Sequence, residues 1–125
     1  MTIILERVYG SAPRTPGYRV LVDRVWPRGV SRDSLALDEW CRDLAPSHAL
    51  RTWFAHDPER WEAFREQYLA ELGERQSELK RLREVASREC LVLLYGARDT
   101  AHNQAVILRD AIRQDIAECD ERADG

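Results

Sequence analysis

A chain of 125 residues with 44% apolar residues fits one globular domain and is too apolar to be intrinsically disordered. No apolar run approaches the ~20 residues that cross a bilayer, and the N-terminus lacks the pattern of a signal peptide, so we expect a cytoplasmic protein without a membrane anchor. The net charge of −3 argues against a dedicated nucleic-acid binder.

Two strands and short helices are predicted in the first half of the chain. Loose alternation predicts a strand over residues 2–9, and an apolar run over residues 18–23 predicts a second strand that is covered on both faces. A short helix is expected after Asp33 or Ser34, because apolar residues then recur at the helical spacing i, i+3, i+4 and i+7, namely Leu37, Trp40, Cys41 and Leu44. Ser47 is a candidate cap for a helical turn that reaches residues 53–54.

The second half begins with a clear helix start, in which Asp57 is the N-cap and Pro58 the first helical residue. The helical pattern pauses at Gly73 and resumes to about residue 87. Residues 90–95 predict a second central strand, and a last helix is expected from Ala101 to about Cys119, with an inward face of Ala105, Leu108, Ala111, Ile112 and Ile116.

These elements predict the fold class. We expect an α/β fold with a small, mostly parallel sheet of about three to four strands and helices packed on its faces. Residues 1–119 form a single domain in this prediction, and residues 120–125 form a polar, frayed tail.

Both central strands end in polar loops, which are the first places to look for a site. Ligands of open α/β sheets bind beyond the C-terminal ends of the strands. If the two strands are parallel neighbours, residues 23–29 and 95–103 emerge at the same edge of the sheet. We therefore predict that these two segments meet in space.

The loop after the second strand combines an acid, two arginines and an indole. Arg24 and Arg28 can hold a carboxylate or a phosphate through paired hydrogen bonds, and Trp26 can stack on a planar ligand. Asp23 is a candidate general base. The alternative is a structural Asp–Arg network with the indole in the core.

The loop after the strand at residues 90–95 leads into the last predicted helix. Free backbone N–H groups at a helix start favour an anion, although Asp99 would cap that start itself. His102 in the first turn is a candidate proton donor or base. The alternative is a capped helix with a surface histidine.

The remaining candidates are less distinctive. His56 precedes the helix cap at Asp57 and either lines a site or lies on the surface. The three cysteines are widely spaced and form no zinc pattern with the histidines, which favours reduced structural thiols. No dinucleotide, phosphate-loop, nucleophile-elbow or zinc-protease motif is present, so we predict neither a cofactor nor a metal.

Four segments follow one another along the chain: YRVLVDRVWPRG at residues 18–29, DLAPS at 43–47, WFAHDPE at 53–59, and LLYGARD with HN at 93–99 and 102–103. Together they resemble the YeaO-like family, a domain family of unknown function. The resemblance covers about residues 3–114 and implies a shared pocket built from motif positions, which are Asp23, Arg24, Trp26, Arg28, His56, Tyr95, Asp99, His102 and Asn103. The chain has Gln104 after His102 and Asn103, whereas the pattern in many relatives looks like His-Asn-His.

We therefore hypothesise an enzyme-like pocket for a small anionic ligand such as a nucleotide or a sugar phosphate. Asp23, Asp99 and His102 are the candidates for proton transfer in acid–base or glycosidic chemistry. Arg24, Trp26, Arg28, His56, Tyr95 and Asn103 are the candidates for ligand binding.

Two rival functions stay open from the sequence alone. A non-catalytic binding or sensor module would hold the same anion without turnover. A nucleic-acid-associated regulator would use the first 32 residues, whose six arginines and two acids give a net charge of +4. The acidic-to-mixed helix expected over residues 58–72 argues against the regulator.

Overall fold

The computed structural model describes residues 1–10 and 14–113 of the chain. Within these residues, four strands form one parallel sheet: β1 (Ile3–Arg7), β2 (Tyr18–Leu21), β3 (Glu39–Trp40) and β4 (Leu91–Tyr95). Their order across the sheet is β1-β4-β2-β3. The predicted small parallel α/β sheet is confirmed.

Strands β2 and β4 are the two inner strands, as their apolar runs predict. Val20 pairs with Leu93, and both side chains are fully buried. The pairing extends one step beyond β2, because the backbone N–H of Val22 donates to the carbonyl of Leu94 at 3.0 Å. The two strands are therefore parallel neighbours whose C-terminal ends meet at one edge.

Five helices accompany the sheet in the described part of the chain: α1 (Arg32–Leu35), α2 (His48–Phe54), α3 (Trp61–Leu72), α4 (Gln76–Arg88) and α5 (residues 104–113). Ser47 caps α2 by accepting from the backbone N–H of Leu50 at 3.2 Å. Asp57 caps a 3₁₀ turn (Pro58–Arg60) that leads directly into α3. Both predicted helix starts are confirmed.

The helix predicted through residues 37–44 is wrong. Helix α1 ends at Leu35, because Ala36 takes a left-handed conformation with φ of 47°. The chain then forms β3 and a 3₁₀ turn (Arg42–Leu44). The open edge of β2 decides this outcome, since its carbonyls at Arg19 and Leu21 accept from the backbone N–H groups of residues 38 and 41 at 2.9 Å. Helical spacing of apolar residues also arises in such a strand-and-turn segment.

Helix α5 begins three residues later than predicted. Residues 101–103 form a bend, and Asn103 caps the helix by accepting from the backbone N–H of Val106 at 3.3 Å. The inward residues of this helix are buried as expected, namely Ala105, Leu108, Ala111 and Ile112. Ile116, the predicted end at Cys119 and the predicted tail lie outside the described residues.

The two faces of the sheet are covered unequally. Helices α3, α4 and α5 pack with Val20 and Val22 in the larger apolar cluster. The opposite face carries a smaller cluster around Leu21 and Leu94, against which Trp26 and Trp40 pack. Polar side chains occupy the edge of the sheet where the strands end, between these two apolar clusters.

Among the described residues, no helix has the length and apolar character needed to cross a membrane.

Candidate functional site

Asp23 joins the two inner strands at their C-terminal ends. Its Oδ2 accepts from the backbone N–H of Gly96 at 2.9 Å, and its Oδ1 accepts from the side-chain amide of Gln104. The carbonyl of the same residue accepts from the indole N–H of Trp40 at 2.7 Å. The prediction that the two polar segments meet in space is confirmed, and Asp23 is their meeting point.

The environment of Asp23 changes its acidity. Burial raises the pKa of its carboxyl from 3.8 to about 6, because the charged form loses hydration. Hydrogen bonds from Gly96 and Gln104 and the positive charge of Arg51 act in the opposite direction but do not cancel the effect of burial. A carboxyl with a pKa near 6 exchanges protons close to neutral pH.

A cavity of about 400 Å³ opens beside Asp23, which is within the size range of small-molecule sites. It lies among the two strand-end loops, helix α2 and the start of α5. Aromatic rings, prolines and polar groups share its wall. The lining residues are Tyr9, Asp23, Arg24, Val25, Pro27, Pro46, His48, Arg51, Thr52, Phe54, His56, Phe64, Gly96, Ala97, Asn103 and Gln104.

Four of the nine residues singled out from the sequence line this cavity: Asp23, Arg24, His56 and Asn103. Asn103 is buried, and its side chain also donates to the carbonyl of Asp99 at 2.9 Å. The other five lie outside the lining and have structural contacts of their own. The structure therefore brings part of the predicted site together.

Asp99 and His102 are paired with each other away from the cavity lining. The carboxylate of Asp99 accepts from the backbone N–H groups of Ala101 and His102 at 2.9 Å, and its second oxygen lies 2.9 Å from Nδ1 of His102. These backbone hydrogen bonds lower the pKa of Asp99. The rings of His102 and Trp61 form a T-shaped pair with their centroids 5.1 Å apart. This arrangement is that of a capped turn, and the proton-transfer role of the pair stays a prediction.

Trp26, Arg28 and Tyr95 also lie outside the lining. Trp26 donates its indole N–H to the carbonyl of Val30 at 2.6 Å and packs against Trp40 at 5.3 Å. Tyr95 is buried in the core, and Arg28 is exposed. The ligand-binding roles predicted for these three residues rest on the sequence alone.

Several lining residues carry no motif that marks them in advance. His48, Arg51 and Thr52 come from one face of α2, at the spacing i, i+3 and i+4. That spacing is a signal, because it places an imidazole, a guanidinium and a hydroxyl side by side. Gln104 contributes through its contact with Asp23.

His56 is held at the cavity by an uncommon backbone. Ala55 and His56 are consecutive left-handed residues, with φ of 46° and 57°. Such conformations cost a non-glycine residue roughly 1–2 kcal/mol each and persist where the surrounding structure enforces them. Here the end of α2 and the cap at Asp57 enforce the turn, and the turn places the imidazole in the lining.

One side-chain cluster in the described ranges has ligand atoms close enough for a metal, and it lies away from the cavity. Ligand atoms of Glu39, Cys41 and Glu78 are within 4.8 Å of one another. Arg81 already pairs with both carboxylates, at 2.5 Å and 2.9 Å. Burial raises the pKa of the Cys41 thiol to about 12, which opposes the thiolate that a metal requires. The cluster is an ion-pair network.

Comparison with known proteins places the chain in a family. It is 47% identical over 113 residues to the uncharacterized protein YeaO of Escherichia coli, which covers 90% of this chain and 98% of that protein. It is 38% identical over 104 residues to the uncharacterized proteins Rv3073c of Mycobacterium tuberculosis and Mb3100c of Mycobacterium bovis, which covers 83% of this chain and 87% of each relative. No solved structure matches the chain.

The resemblance to the YeaO-like family is thereby confirmed over most of the chain. A family model described as the inactive DUF488-N3 subclade matches residues 2–125. With that match and these relatives, the chain belongs to the inactive DUF488-N3 subclade of the DUF488 family.

Proposed function

We propose that this protein is a binding module that holds a small anionic ligand in the cavity beside Asp23 and does not turn it over. The proposal rests on the environment of Arg24, which is half-buried and lines the cavity. No hydrogen bond or ion pair engages its guanidinium within residues 1–10 and 14–113. A partly buried cation without a protein partner favours an anionic ligand.

The charges around the cavity support an anion. Arg24 and Arg51 face a single carboxyl, that of Asp23, whose raised pKa leaves part of it neutral near pH 6. His48 and His56 add two imidazoles to the wall, and an imidazole ring N–H can donate a hydrogen bond to an anion. Aromatic and proline side chains in the same wall suit a planar part of the ligand, as in a nucleotide.

Three features support binding without turnover. Both oxygens of Asp23 accept hydrogen bonds from groups that do not titrate, Gly96 and Gln104. The Asp99–His102 pair is directed at its own turn. The family's description as an inactive subclade agrees with this view.

One observation favours catalysis as a second candidate. The pKa of about 6 at Asp23 suits a general acid or base, and this carboxyl borders the cavity. In this alternative, Asp23 moves a proton on the bound ligand. The two candidates share the ligand site and differ in whether the ligand changes.

A thermal-shift screen with sulfate, phosphate, nucleotides, sugar phosphates and small carboxylates tests the proposal. We expect anionic ligands to raise the melting temperature and Arg24→Ala to abolish the rise. Arg28→Ala tests the anion-binding role that the sequence motif predicts for Arg28. We expect this variant to keep the rise, because Arg28 is exposed and lies outside the cavity lining. Retention of the shift in Arg24→Ala and its loss in Arg28→Ala would refute the proposed site.

Product analysis of every stabilising ligand then separates binding from catalysis. Incubated ligands are examined by chromatography and phosphorus NMR at pH 6 and pH 8. Unchanged ligands support the binding module. Conversion that disappears in Asp23→Asn supports the catalytic alternative.

A mobility-shift assay at low and moderate salt addresses the nucleic-acid rival. Binding that persists at moderate salt would favour a regulator, since phosphate contacts weaken steeply with salt. We also propose the cytoplasm as the compartment, since a reducing environment suits the free thiols of Cys41 and Cys90.

A further inference from the structure

A second cleft of about 340 Å³ adjoins the first cavity. Arg24 lines both spaces. The segment at residues 45–47 forms the wall between them, because Pro46 faces the first cavity while Ala45 and Ser47 face the second cleft. The guanidinium-bearing residue thus stands where the two spaces meet.

The partnerless guanidinium of Arg24 suits a group that is shared between two binding spaces. A guanidinium offers five N–H donors in a planar fork, and they point in more than one direction. A phosphate group with substituents on both sides can accept from such a fork and continue into both spaces. A terminal phosphate would use only one of them.

The two spaces differ in chemistry. The first has aromatic rings and prolines in its wall and suits a planar group. The second has the exposed carboxylates of Asp43 and Glu74 and the guanidinium of Arg75. Carboxylate oxygens are acceptors for hydroxyl groups, so this cleft suits a polyhydroxylated group. Glu71 is not free for that role, because Ser47 donates to it through both its backbone N–H and its hydroxyl.

We propose that the ligand is a two-part molecule with an internal diphosphate held by Arg24, a planar group in the first cavity and a polyhydroxylated group in the second cleft. Nucleoside diphosphate sugars have this chemistry. The inference deepens the proposed anion site and rests on it, since it requires that the first cavity binds the nucleoside part.

Isothermal titration calorimetry with matched probes tests the inference. The probes are AMP, GMP and UMP, the corresponding nucleoside diphosphates, and the corresponding nucleoside diphosphate glucoses. We expect at least one glucose-bearing probe to bind about ten-fold more tightly than the nucleoside diphosphate with the same base. Asp43→Asn and Glu74→Gln should remove that gain and leave the affinity for the nucleoside diphosphate unchanged.

Glu66→Gln on α3 is the matched control, because Glu66 is exposed and lines neither space. It should retain the full gain, and Arg24→Ala should weaken every phosphate-bearing probe. If nucleoside phosphates bind but the glucose adds no affinity, or if Asp43→Asn and Glu74→Gln keep the gain, the two-part ligand is refuted while the anion site stands. If the wild-type protein binds none of these probes and neither sulfate nor phosphate raises its melting temperature, the proposed function is refuted together with this inference.

Discussion

The backbone N–H of Gly96 donates to Oδ2 of Asp23 at 2.9 Å and joins residues that are 73 positions apart in the chain. A Cβ on residue 96 would approach the same oxygen to 2.8 Å, closer than side chains tolerate. Glycine at this position therefore lets the two strand-end loops meet around one carboxylate.

Gly96→Ala should destabilise the protein by about 1–3 kcal/mol, because the added methyl group forces Asp23 away from its donor. Urea unfolding at pH 7 measures the free energy. The control is the same substitution in an Asp23→Ala background, where the obstructing oxygen is absent and the loss should be smaller. An equal loss in both backgrounds would mean that the strain lies elsewhere.

Asp23→Asn should become more stable relative to the wild type as pH rises. The folded-state pKa of Asp23 is about 6, above its ordinary value of 3.8, so its contribution to stability is fully present below pH ~4 and is lost as pH rises through ~6. The asparagine lacks this titration. The difference in unfolding free energy should therefore shift in favour of the variant by up to about 3 kcal/mol between pH 4 and pH 7.

The comparison at each pH removes the background of other groups. Glu6 and Glu39 have lowered pKa values and contribute in the opposite direction, as stability that is lost when pH falls. They are the same in both proteins. A constant difference across the range of pH would show that the carboxyl of Asp23 titrates normally in the fold.

Trp26→Ala should reduce stability by about 3 kcal/mol, because it removes the contact with Trp40 and the hydrogen bond to Val30. Ligand affinity should change less than in Arg24→Ala, since Trp26 lies outside the cavity lining. Chemical denaturation and the thermal shift measure the two effects, with Trp26→Phe as the milder variant. The stacking role suggested by the sequence expects the reverse ranking.

Arg19→Met should destabilise the protein by about 3 kcal/mol. Arg19 pairs with Glu6 at 2.7 Å and donates to the carbonyls of Leu35 and Thr15, and its side chain is only 6% exposed. Its loss leaves a partly buried carboxylate without its cation. Arg14→Met is the matched control, because Arg14 belongs to the same basic segment and is exposed. Similar unfolding midpoints for the two variants would contradict the prediction.

Local signals in the sequence identified most elements of this fold. The apolar runs of β2 and β4 predict inner strands, because only a strand covered on both faces has apolar residues on both sides. Ser47 and Asp57 predict helix starts, because a capping side chain acts on its own first turn. Such features depend on neighbours in sequence, and the end of the apolar run likewise predicts that Asp23 lies at the edge of the sheet.

Only the tertiary structure decided the features that depend on distant partners. Strand β3 exists because the edge of β2 offers unpaired backbone groups, which overrides the helical spacing of residues 37–44. Helix α2 brings Arg51 to the cavity because Phe54 stacks on Phe64 of α3 at 4.2 Å. Trp26 lies outside the cavity lining because its ring packs against Trp40 and its indole N–H donates to the carbonyl of Val30. Burial raised the pKa of Asp23, and burial is a property of the packed molecule.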